Sequence, residues 1–421
     1  VLTRLSPAAL IIALSFAAQA QMTPAPNPTL EQALLQSRTS LVLDDGKFSG
    51  PGADVLDTAI QQSRFVLLGE DHYTREIPSI AAAVCDIMHP DAYAVEAGPY
   101  STRFVASLLT NPNRIPLMAA REKAFPDNMA FLNMRQENDL AAHCAASSHN
   151  PHFRLWGLDQ EFLGAAPTLL EAMAATHPGP LSRAAIAAAQ TKDRADTAQT
   201  IRTGDITTLF LPASTDADIH ALQSAIDADG TPATRDLLHE FTASRTIYRL
   251  YPEHSAESNL VRSQLLKQNF LADYLPFKQQ TPSPRILFKF GDNHVGKGFD
   301  DNHELNLGDF IAEFAAGEQA QSLHLLVLGA RGMHFDWAGY GKPMGQKPFV
   351  MADDPDYKWV ALAASNLIPV DPAHPGTQLT LYDLRQLRYR GLPLSGRWDH
   401  IVYGYDLLIL IPELSVASVL Q

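Results

Sequence analysis

Cysteine is nearly absent from this chain of 421 residues: Cys85 and Cys144 are the two that occur, with no CxxC pair. That excludes the usual structural zinc sites. Each cysteine sits on a helix-like stretch just ahead of a strand-like run. Two readings stay open for them, a disulfide worth ~4 kcal/mol through loop closure or a pair of buried free thiols. Positive charge is also scarce. Lys and Arg total 32 against 46 Asp and Glu, a net charge of −14, and no basic run occurs. A nucleic-acid partner or an anionic membrane surface would lack its electrostatic footing. GxSxG, HExxH and GxGxxG are all missing, which argues against an elbow-type serine hydrolase, a zincin and a dinucleotide fold. Residues 291–298 (GDNHVGKG) come close to a phosphate-binding loop. Gly298 stands where a magnesium-binding hydroxyl is needed, however, and the next strand offers no aspartate.

Long apolar runs are absent beyond the first twenty residues. There, Arg4 precedes an apolar run over 8–18, and Ala18-Gln19-Ala20 fits a signal-peptidase site. The run is too short for a comfortable membrane span. The sequence thus predicts a signal peptide over 1–20, a periplasmic or secreted location, and no integral membrane domain after cleavage. Residues 21–52 read as a Pro-rich spacer and N-terminal segment, with a helix at 30–36 and a Gly/Pro turn at 46–52. Hydrophobic residues make up 46% of the chain, ample for one large core over 53–421.

The pattern over 53–421 is that of an α/β fold. Short apolar runs at 65–68, 92–95, 153–158, 285–290 and 323–328 have the length of buried parallel strands. Tail strands are expected at 378–382 and 401–411, the last ones antiparallel. Amphipathic helices are expected at 53–62, 76–88 and 306–314, with a helical region over 102–146 broken at Pro112, Pro116 and Pro126. Between 164 and 275 strand signals vanish and Ala-rich amphipathic segments dominate. This reads as a helical cap on a central, mainly parallel sheet flanked by helices.

Chemistry collects at the strand ends. The first strand runs into Gly69-Glu70-Asp71-His72 and the fourth into Gly291-Asp292-Asn293-His294, while the second and third end in Glu96 and in Asp159 and Glu161. One acidic residue after a strand is ordinarily a helix cap. Four such ends in succession, two with histidine, point to one site beyond the carboxyl ends of the strands. Crowded carboxylates repel unless they pair with cations, share protons or hold a metal.

Two mechanisms fit the residues. In one, His72 is a general base on water, oriented by Glu70 or Glu96, with His294 or Arg262 stabilising the oxyanion. In the other, His72, His294 and Glu96 hold a divalent metal that activates water. Asp159, Arg262, Glu76, Asp292 and Arg103 are the substrate-binding candidates, for a small-molecule substrate.

The chain resembles the erythromycin esterase-like proteins, in a wider group with the ChaN-type haem-binding proteins and the TraB/Tiki metalloproteases. The likeness rests on Gly69-Glu70-Asp71-His72 with Glu76, then Glu96-Ala97-Gly98, Gly157-Leu158-Asp159, Arg262 to Asn269 (RSQLLKQN), Asp292-Asn293-His294-Val295, Asn306-Leu307-Gly308 and Tyr405-Asp406. It implies hydrolysis of an ester or related acyl bond without a metal. Departures, with one residue fewer between Glu70 and His72 and Gly291 in place of a first histidine, lean toward the Gly-x-x-His pairs of the Tiki-like branch. There the two histidines and a glutamate surround a metal, so a divalent metal stays open and no cofactor is assigned. The ChaN-type relatives imply a third possibility, a haem or small-ligand binder with His72 or His294 as axial ligand.

Overall fold

The computed structural model describes residues 28–300, 302–370, 376–394 and 396–420. The expected signal peptide and most of the Pro-rich stretch lie outside the described residues. Eleven strands occur among the described residues: β1 Arg38–Asp44, β2 Lys47–Ser49, β3 Phe65–Glu70, β4 Ala92–Val95, β5 Arg154–Gly157, β6 Ile286–Gly291, β7 Ser322–Gly329, β8 Arg331–Asp336, β9 Gly345–Val350, β10 Thr377–Asp383 and β11 Leu407–Ile411. Nine form one sheet in the order β2-β1-β10-β11-β7-β3-β6-β4-β5, and β8 pairs with β9 apart from it.

From β11 through β5 every neighbouring pair is parallel, while β2, β1 and β10 add an antiparallel flank. Of the two tail strands, β10 is antiparallel as expected and β11 runs parallel to β7. The expected strand over 401–411 is shorter than read. Its first part belongs to the helix Arg397–Gly404, whose Trp398, Ile401 and Val402 bury one helical face.

Side chains alternate across each strand and so feed two cores. Val66, Leu68, Tyr93, Val95 and Leu287 face a layer that includes the helices Pro51–Gln62, Glu76–Met88 and Arg135–Ser147. Phe65, Leu67, Ala94, Phe288 and Phe290 face Leu266, Phe270 and Tyr274 of the helix Ser255–Gln280, together with Leu307 and Ile311 of Leu307–Gly317. A disulfide between Cys85 and Cys144 ties Glu76–Met88 to Arg135–Ser147, which settles the two cysteines as a pair.

The expected cap is present, with a core of its own: Leu169, Leu170 and Met173 meet Ile186, Leu222, Leu238 and Phe241. Its far boundary differs from the sequence reading. The helix Ser255–Gln280 starts in the cap, but its apolar face sits on the sheet, so it is a sheet-layer helix for most of its length. Pro116 does not break a helix, because it lies in the first turn of Arg114–Ala124, where a missing N–H costs nothing.

Candidate active site

The two histidine motifs meet because each strand supplies a glycine. In the parallel pair β3–β6, Gly69 stands beside Phe290 and Glu70 beside Gly291. A Cβ on Gly291 would fall 2.7 Å from His72 Nε2, and one on Gly69 would fall 2.9 Å from Val295. Each glycine therefore vacates the space into which the other motif folds. After Gly291 the chain makes a short helical turn, Asp292–Val295, that carries His294. Tyr405 holds that turn by donating its hydroxyl to the Asp292 carbonyl.

Glu96 is the hub. His72 Nε2 lies 3.4 Å from one of its oxygens and His294 Nε2 lies 3.4 Å from the other. The Gly291 N–H donates to Oε2 and Arg262 Nη2 to Oε1, both at 2.6 Å. On the far side of His72, Nδ1 donates to Glu70 Oε1 at 3.0 Å. Behind Glu70 sits Lys289, whose ammonium contacts Glu70 and also reaches Glu137 at 2.6 Å, with all three side chains buried.

Lys289 and Glu137 escape a reading built on strand ends. For Lys289 the signal was nonetheless there, because a lysine inside an apolar strand must bring counter-charges with it.

These partners fix the charges. Burial disfavours an ionised Glu96, yet His294 and His72 outweigh it and hold the carboxyl well below the usual range. Glu70 is likewise buried and still lowered, chiefly by Lys289 and then His72. Burial would push the His72 imidazole down, but Glu96 and Glu70 prevail and lift it to about 10. Burial pushes Glu137 up to about 7 despite Lys289. His72 is thus an imidazolium at neutral pH. The general-base role read from the sequence needs a neutral ring, and the carboxylates that orient His72 favour its proton instead.

Other predicted residues divide between the cleft and elsewhere. Arg262, Leu266 and Asn269 share one helical face. Arg262 Nε donates to Asp159 Oδ1 at 2.9 Å, Leu266 enters the core, and Asn269 donates to the Leu158 carbonyl at 2.8 Å. The i, i+4, i+7 spacing thereby seats the helix over the ends of β4 and β5. Arg262 is occupied by Asp159 and Glu96, so it sets the carboxylates in place. Asp292 lines the cleft, bonded to the Tyr357 hydroxyl at 3.2 Å and to Arg397 at 3.3 Å.

Two candidates are misplaced by the sequence reading. Glu76 holds the C-terminal segment, taking the Ser415 N–H at 2.9 Å. Arg103 forks onto Glu240 beside a different cleft. Both follow a motif closely in sequence, but the helices that bear them turn away from the strand ends.

The cleft has a volume of about 640 Å³ and is lined by Glu70, His72, Glu96, Asp159, Arg262, Asp292 and His294. Aromatic walls come from Tyr73, Phe131 and Phe335 and, on the cap side, from Phe162 and Tyr248. His334, which lacks any motif around it, also lines the cleft: β8 brings its Nε2 to within 2.6 Å of Asp71 Oδ2.

The metal alternative fares poorly on geometry. The Arg262 guanidinium already takes Glu96 Oε1, the oxygen that faces His294, placing a fixed cation beside the carboxylate a divalent ion would need. Among the described residues no group of three His, Cys, Asp or Glu is arranged to hold a metal ion.

No protein-family model matches the chain, and no curated protein matches it. Solved structures do. A histidine-to-asparagine variant of the erythromycin esterase EreC, in its open conformation, superposes with a TM-score of 0.59 at 11% identity, covering 91% of this chain and 99% of that one. A succinoglycan biosynthesis protein gives 0.55 at 12% identity, covering 92% and 97%. A protein from Bacillus cereus gives 0.55 at 13% identity, covering 93% and 98%. Over 91% of its length, this chain shares the fold of that erythromycin esterase.

Proposed function

We propose that the chain is an exported hydrolase that cleaves an ester or related acyl bond with water as the nucleophile. The observation that carries this reading is the convergence of two imidazoles on Glu96, with the Nε2 atoms of His72 and His294 each 3.4 Å from one of its oxygens. Glu96 orients His294, which takes a proton from water as the oxygen attacks the carbonyl carbon. The His72 side chain, held by Glu70 on Nδ1 and facing Glu96 through Nε2, stabilises the developing oxyanion by its positive charge, and Lys289 behind Glu70 holds that pair in place. As the acyl–oxygen bond breaks, His294 passes its proton to the leaving alkoxide, and the products are an acid and an alcohol.

The presence of an erythromycin esterase among the structures that share this fold supports hydrolysis. The cleft volume suits a small-molecule substrate. The Cys85–Cys144 disulfide supports export, because such bonds persist in oxidising compartments. N-terminal sequencing of the mature protein should begin at Gln21.

A panel of acyl esters tests the chemistry. His294→Ala and His72→Ala should each lower kcat/KM by about a hundredfold or more, and dialysis against a chelator should leave the wild type active. Equal turnover by both variants and the wild type would remove the assignment.

A further inference from the structure

Two aromatic residues beside His72 are held in backbone conformations that bulky side chains rarely adopt. Tyr73 has φ +62° and Phe131 has φ +54°; both lie in the left-handed region, where a large L-residue is strained. Such strain persists only where the surroundings impose it. The loop around Phe131 is pinned accordingly: the Met134 N–H donates to the Phe131 carbonyl at 2.7 Å, and Asn138 donates to the Leu132 carbonyl at 3.0 Å.

Core packing does not repay the strain. Among the described residues neither Tyr73 nor Phe131 belongs to any of the three apolar cores. Both rings line the cleft. Phe131 lies face to face with the His72 imidazole, with centroids 4.2 Å apart and planes 23° apart. Tyr73 packs against Phe131 at 5.1 Å and is itself stacked at 4.6 Å on Phe335, which follows His334 in β8.

We infer that Phe131 is a positioning residue for His72: its ring face fixes the plane of the imidazole between Glu70 and Glu96 and favours the charged ring, and Tyr73 backs Phe131 against the β8–β9 hairpin. The catalytic consequence rests on the hydrolase reading above. The physical basis does not. A cation over an aromatic face is stabilised by the ring's negative π-surface, and a ring pinned from the side cannot swing away from two carboxylates that each bond one edge. The charged and titratable groups that face His72 are Glu70 and, behind it, Lys289 and Glu137; Glu96 with His294 across it; and Asp292 on the next turn, with the Tyr73 ring 6.2 Å away edge-on. Phe131 is the uncharged contact whose removal leaves all of these in place.

The test follows the His72 imidazole by NMR of histidine-labelled full-length protein, with His72→Gln identifying its signals, alongside ester kinetics. Phe131→Gly removes the ring at a backbone position that glycine adopts freely; Phe131→Leu keeps the bulk without the π-face; Phe131→Tyr keeps the face. In the Gly and Leu variants the His72 titration midpoint should fall by roughly half a unit to one unit. Their kcat should drop about tenfold with KM changed by less than about twofold. Phe131→Tyr should retain the wild-type midpoint and rate.

An unchanged His72 midpoint in the folded Gly or Leu variant would overturn the assignment, as would a loss of rate carried in KM alone. Failure of the wild type to hydrolyse any ester would sink the hydrolase reading only, since the midpoint comparison decides the role of Phe131 without turnover.

Discussion

The charge on His72 gives the sharpest test of the mechanism. With the imidazole lifted to about 10 by Glu96 and Glu70, only about one molecule in a thousand carries a neutral ring at pH 7. If the neutral ring were the base, log kcat/KM would climb with unit slope from pH 7 to 10, a gain of about a thousandfold. If the imidazolium is the working form, kcat/KM should instead be flat from about pH 7 to 9 and fall as His72 loses its proton near 10.

The assay is kcat/KM against pH with an ester stable to alkali, for the wild type and for Glu96→Gln. The variant keeps the shape of Glu96 but removes the charge that raises His72, so its alkaline fall should begin at lower pH. Linkage supplies a second readout. His72 is raised above its ordinary value of about 6.5, so its contribution to stability is complete below that value and is lost as pH rises through about 10. A unit-slope rise in the wild type between pH 7 and 10 would refute the assignment of His72 as the charged partner and return the role of base to it.

Three further outcomes are expected. Lys289→Met leaves Glu70 and Glu137 buried without their shared cation and should cost about 3–5 kcal/mol in chemical denaturation; adding Glu137→Leu should recover part of that loss. Non-reducing mass spectrometry should find no free thiol, and Cys85→Ala with Cys144→Ala should lower stability by about 4 kcal/mol for a bridge spanning 59 positions. Arg262→Ala, which frees Asp159 and Glu96, should lower kcat/KM by about a hundredfold or more, whereas Arg103→Ala, beside the other cleft, should stay within about twofold in the same assay.

The central strands were legible because burial on both faces leaves an unbroken apolar run. β4 has the residues expected, and β3, β5, β6 and β7 differ from expectation only at their ends. Their carboxyl ends were legible for a chemical reason: Glu96, His72 and His294 are costly to crowd unless they act together, and the fold does bring them together. The β8–β9 hairpin was invisible, since its residues are mostly exposed or half-buried on both faces and carry no alternation. With it went His334, whose partner Asp71 lies in the first motif. β2 was hidden in the same way, whereas β1, with Leu41 and Leu43 buried in alternation, was missed because it lies in a segment read as spacer and turn. Glu137 could not be found from sequence, because nothing in its helix announces that Lys289 lies opposite.

The strand order has a consequence for how the molecule is made. β6 lies between β3 and β4, yet the ribosome supplies it only after the whole cap has been synthesised. Until residue 291 emerges, β3 and β4 each present an edge of unpaired N–H and C=O groups toward a neighbour that does not yet exist, a template for mispairing. A nascent chain stopped anywhere in the cap would therefore be sticky and incomplete at its centre rather than a smaller folded domain.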